Sequence, residues 1–90
     1  CMIVNAAIER LPGDTLVERR VALAWDGLEA ALTAALHRAQ AQGELAQDKD
    51  PRALGRFLLV FLQGLRVVAK AQWEPARILD AAKEALSVLG

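Results

Sequence analysis

The chain has 90 residues, 54 % of them from the set AVILMFWYC, and its eleven basic residues balance eleven acidic ones. That length makes one domain, 1–90, at the small end for a self-sufficient core, and the six glycines raise the apolar share to about 60 %, above the roughly 45–50 % usual for soluble domains. Such an excess is better explained by an interface than by an interior, and zero net charge argues against this stretch gripping nucleic acid, which takes a basic surplus.

The first predicted element is helical, over 2–11. Val4, Ala7, Ile8 and Leu11 recur at helical spacing before Pro12-Gly13 stops the run. It opens inside an apolar stretch, Cys1-Met2-Ile3-Val4, without the polar tether that follows a lipid-bearing N-terminal cysteine. The chain is therefore expected to be the back end of a longer protein. Cys1 is the sole cysteine, which rules out an intrachain disulfide and fits a reducing, cytoplasmic compartment.

A long second helix is predicted over 15–42. Asp14 or Thr15 caps it, and Thr15-Leu16-Val17-Glu18 has the capping-box pattern, in which a hydroxyl and a glutamate satisfy orphan amides reciprocally. Its apolar stripe runs Val17, Val21, Ala24, Trp25, Leu28, Leu32, Ala35, Leu36 and Ala39, with Arg19, Asp26, Thr33, His37 and Gln40 on the wet side. A further narrow strip, Leu23, Gly27, Ala30, Ala34 and Ala41, is small enough to admit a close helix approach, or Gly27 is merely tolerated. Gly43 is placed to end the helix in the left-handed conformation, and a charged loop follows with Leu45 as its apolar anchor.

Asp50-Pro51 opens the third helix, over 52–72, with Asp as N-cap and Pro at the first helical position. One apolar stripe comprises Leu54, Phe57, Leu58, Phe61, Leu65, Val68 and Ala69. A second comprises Val60, Gly64, Val67 and Ala71, well over a quarter turn away. A helix apolar on two sides must be covered on two sides. The fourth helix, over 76–89 behind Pro75, is amphipathic, with Ile78, Leu79, Ala82, Ala85, Leu86 and Leu89 apolar and Arg77, Asp80, Glu84 and Ser87 polar. One thin helix cannot cover both stripes of its neighbour. No run of about 18 apolar residues is present, so no membrane span is expected.

Catalytic and metal chemistry has little to stand on. His37 is the sole histidine and lies on a polar face, so a solvated side chain is expected rather than a ligand or a base. Cys1 has no His or Cys partner nearby, and Asp48 and Asp50 lack the further oxygen ligands a calcium loop needs. Neither a glycine-rich phosphate cradle nor a Ser-His-Asp set can be found. Trp25 and Trp73 are expected to anchor a core or an interface, with a place in a cavity wall as the other reading. The chain is expected to have no cofactor, no metal and no enzymatic activity.

The order of these elements carries a resemblance. An apolar helix end with Asn5, a Pro-Gly-Asp break, a long helix closing in Ala39-Gln40-Ala41-Gln42-Gly43-Glu44-Leu45, then Asp50-Pro51 and an apolar helix bearing Gly64-Leu65 follow one another. The pattern resembles the C-terminal regulatory half of TetR-family transcriptional regulators over nearly the whole chain. The resemblance implies an all-α helical bundle that dimerises and binds a small-molecule effector, while an N-terminal helix-turn-helix, absent from this chain, grips operator DNA. It also implies that the last two helices pair with those of a second subunit in a four-helix bundle. Met2, Asn5, Trp25 and Leu28 are candidates for one wall of an effector pocket.

Combined with the second stripe, this gives a homodimer seam expected to draw on Leu59, Val60, Gln63, Gly64, Val67 and Ala71 of the third helix and Leu79, Ala82 and Leu86 of the fourth. A free-standing helical adaptor is the alternative. A membrane-surface helix is disfavoured by the balanced charge and the lack of a basic face.

Overall fold

The computed structural model describes residues 15–90. They form three helices, α1 (Thr15–Ala41), α2 (Pro51–Ala71) and α3 (Pro75–Leu89), and no strand is found among the described residues. The three expected helices fall within a residue of their predicted ends. The expected helix over 2–11 lies outside the described residues, as do Met2, Asn5 and the capping role of Asp14.

Local chemistry sets the ends of each helix. Gly43 has φ +78°. Its N–H donates to Gln40 O at 3.2 Å and the Glu44 N–H to Ala39 O at 2.8 Å, the paired bonds of a Schellman turn, which satisfy the last carbonyls of α1. The loop is then tied down by side chains. The Gln40 amide donates to Ala46 O at 3.0 Å and Lys49 O at 2.9 Å, and the Gln47 amide donates to Gln40 O at 2.8 Å. This brings Leu45 into the core at 4 % exposure. At the start of α2 the Asp50 carboxylate accepts from the N–H groups of Arg52 and Ala53 at 3.0 and 3.4 Å, and Pro51 has no N–H to leave orphaned. Glu74 caps α3 in the same way, accepting from Ala76 N and Arg77 N at 3.3 and 3.0 Å.

The nine-residue loop after α1 and the three-residue connection after α2 turn the helices back on one another. Glu29 meets Arg56 at 3.7 Å and Thr33 meets Gly55, so α1 and α2 run antiparallel. Lys49 Nζ donates to Val88 O at 3.1 Å, joining the start of α2 to the end of α3. α2 is the middle helix: it packs against both neighbours, and those two do not meet. The result is a slab of 43 × 32 × 14 Å. Among the described residues its buried apolar side chains include Val21, Leu45, Leu54 and Ala85, and no large side chain there is fully enclosed.

Two expectations about α1 change. Thr33 and Gln40 are half-buried rather than wet, because Thr33 lies at the crossing with α2 and Gln40 staples the loop. The close helix approach is also elsewhere. Gly27 is exposed, with nothing within 4 Å of where a Cβ would stand, whereas a Cβ on buried Gly55 would collide with the Thr33 hydroxyl and lie 3.3 Å from its backbone nitrogen. Only glycine at 55 lets the two helices come this near.

Candidate functional site

α2 presents three sides. Leu54 and Gly55 are buried, Leu58, Leu62 and Leu65 are half-buried, and Phe57 and Phe61 stack with ring centres 6.1 Å apart. The remaining side carries the second stripe. Val60 is 71 % exposed, Gly64 and Ala71 are exposed, and Val67 is half-buried. Gly64 has nothing within 4 Å of a built Cβ, so its missing side chain leaves a flat place on an apolar face. Between this side of α2 and the flank of α3 runs a groove of about 330 Å³ lined by Val60, Phe61, Gly64, Leu65, Val68, Arg77, Ile78 and Ala81.

That groove divides the expected seam residues. Ile78 marks the inward line of α3, and Arg77 and Ala81 stand on the groove flank. Leu79 follows Ile78 by one position, about 100° around the helix, so it projects from the opposite flank. Leu86, seven residues on, shares its side. They are 55 % and 67 % exposed, while Ala82 is half-buried. The structure therefore brings Val60, Gly64, Val67 and Ala71 together, with Leu59 and Gln63 along their border, and does not bring Leu79 or Leu86 to the same side. The α3 residues that share the groove with Val60 and Gly64 are Arg77, Ile78 and Ala81.

A second cavity, of about 240 Å³, lies where α1 meets the border of this face, lined by Trp25, Leu59, Val60 and Gln63. Two of its four residues carry an unsatisfied polar atom: Trp25 Nε1 and Gln63 Oε1 are buried without a hydrogen-bond partner. Leaving such groups dry costs about 1–3 kcal/mol each. Leu28 is half-buried on α1 and is not among the cavity's lining. Trp73, expected in a core or an interface, is 68 % exposed in the connection between α2 and α3.

A third, open cleft of about 380 Å³ carries the charged groups, with Asp26, Glu29, Thr33, His37 and Arg52 among its lining. No group of three or more His, Cys, Asp or Glu able to hold a metal ion occurs among the described residues, nor is any helix among them long and apolar enough to cross a membrane.

The fold and its faces define a class: an all-helical domain with a thin core, a two-sided middle helix and apolar cavities. The chain belongs to the tetracyclin repressor-like C-terminal domain family, whose model matches residues 1–86. It is also similar to a Bacillus subtilis (strain 168) protein named as the uncharacterized HTH-type transcriptional regulator YezE, at 38 % identity over 90 residues, 99 % of this chain and 46 % of that protein. The chain thus spans about half the length of the curated relative that it matches. No solved structure matches it.

Proposed function

We propose that this chain is the regulatory half of a cytoplasmic transcriptional regulator, acting as a repressor, which forms a homodimer through α2 and α3 and senses a small-molecule effector. Control would pass from the effector to operator DNA held by a helix-turn-helix head carried elsewhere in the protein. The observation that carries this reading is the exposed apolar line on α2, Val60, Gly64 and Ala71, beside half-buried Val67. A smooth line with a glycine at its centre suits a second helix laid across it, and a self-matching patch of this kind favours closed two-fold pairing.

The groove beside Gly64 would receive the partner's side chains, and Arg77 and Ala81 would contribute from α3. Leu79, Leu86 and the exposed Leu16 and Leu23 of α1 are left for other parts of the protein to cover.

The relative's name and the family description support a DNA-linked role, and the balanced charge of this chain favours the other half of the protein as its seat. A mobility-shift assay tests this. The intact protein should retard the promoter region of its own operon, and the chain described here should not retard duplex DNA at moderate salt. Tight, salt-sensitive binding by this chain alone would overturn the assignment.

A further inference from the structure

α1 has an uncovered side of its own. Val21 is 3 % exposed and Trp25 lines a cavity with Leu59 and Gln63, so α2 takes the side of α1 on which those two residues stand. Leu23 lies midway between them in sequence, about 200° around the helix from each, and projects the other way. It is 72 % exposed, and Leu16, seven residues earlier on the same side, is 58 % exposed. Arg20 stands between them and is exposed as well. Neither of the other described helices reaches this line, because α2 packs on the opposite side and α3 does not meet α1.

The residues that precede α1 lie outside the described part of the chain, and their order matches the line. Val4, Ala7, Ile8 and Leu11 recur at helical spacing, and Pro12, Gly13 and Asp14 alone separate that run from Thr15. Helices joined by so short a connection become antiparallel neighbours. Counting outward equally from the Gly13–Asp14 bond sets Leu11 against Leu16, Ala7 against Arg20 and Val4 against Leu23. Two apolar residues seven apart on one side thus meet two leucines seven apart on the other. The small alanine falls opposite the long arginine stem. A helix of about ten residues is marginal alone in water, so the run needs a partner surface as much as the two leucines need a cover.

We infer that residues 2–11 fold back as a helix along the outer side of α1 and cover Leu16 and Leu23. This face is then closed within the chain, unlike the α2 face, and no second molecule docks on it. Its closure uses neither the dimer nor the effector of the regulator reading, and either can fail without the other.

Urea denaturation of the 90-residue chain at fixed concentration supplies the first test. At a solvated helix position Leu→Ala leaves the midpoint unchanged, because alanine is the better helix former. Leu23→Ala should instead lower the midpoint, and Val4→Ala should lower it too. The double variant should lose clearly less than the two separate losses together, since each residue covers the other. Disulfide trapping in a Cys1→Ser background supplies the second. Val4→Cys with Leu23→Cys should close within one chain on mild oxidation. Val4→Cys with Leu79→Cys, which uses an exposed leucine of α3, should not. An unchanged midpoint for Leu23→Ala, additive losses in the double variant, or a 4–79 bond that forms as readily as the 4–23 bond would each overturn the inference. Light scattering on Leu23→Ala separates the remaining occupant: a fall in mass would hand the face to a second copy and overturn the inference, and an unchanged mass is expected.

Discussion

Gly55 and Gly27 both sit in helix interiors, and their surroundings give them opposite consequences. At Gly55 an added methyl would meet the Thr33 hydroxyl and backbone, so the helices must part. Gly55→Ala should cost about 1–3 kcal/mol of stability in urea denaturation. At Gly27 the space is open, and Gly27→Ala should gain about 0.5–1 kcal/mol by removing the entropic cost of glycine in a helix. Equal effects from the two substitutions would contradict the crossing described here. Asp50→Ala, which strips the cap from two N–H groups, should lower stability by about 1 kcal/mol. The caps were legible in the sequence because Asp-Pro and a post-helical glycine act through bonds within a few residues. The crossing was not, since whether a glycine touches anything depends on a residue 22 positions away, and nothing local distinguishes Gly55 from Gly27.

At the scale of elements, the burden falls on α2. Its inward side is fixed by period, and Leu54, Leu58, Phe61 and Leu65 could be read from spacing alone. The second line was legible for the same reason, and it stands exposed in the structure at Val60, Gly64 and Ala71. What spacing could not give was which flank of α3 shares a side with it. Leu79 and Leu86 look like natural seam residues because they are large and apolar. Yet the direction in which α3 returns along α2 places Arg77 and Ala81 beside Val60 and Gly64 instead. Val60→Glu and Leu79→Glu therefore separate two surfaces of similar composition. Val60→Glu should abolish self-association, since an unpaired charge in a covered seam costs several kcal/mol, on the order of 3–5. Leu79→Glu should leave it largely intact in size-exclusion chromatography. The Trp25–Gln63 cavity escaped sequence reading for a related reason: Trp25 was singled out for an effector wall, but its partners across the gap come from another helix.

At the scale of the whole molecule, the described residues form a slab whose core includes four buried apolar side chains, while nine large apolar residues among them remain at least a third exposed. A body so thin leaves apolar surface uncovered among the described residues. On the proposed reading a second copy covers the α2 face. That makes oligomeric state the most direct test. Sedimentation equilibrium or multi-angle light scattering on this chain at tens of micromolar should return twice the chain mass of 9.7 kDa, with Val60→Glu returning to the single-chain mass while keeping its helical circular dichroism. A well-folded monomer of the unsubstituted chain at that concentration, or a dimer indifferent to Val60→Glu, would contradict the assignment of the α2 face as the seam.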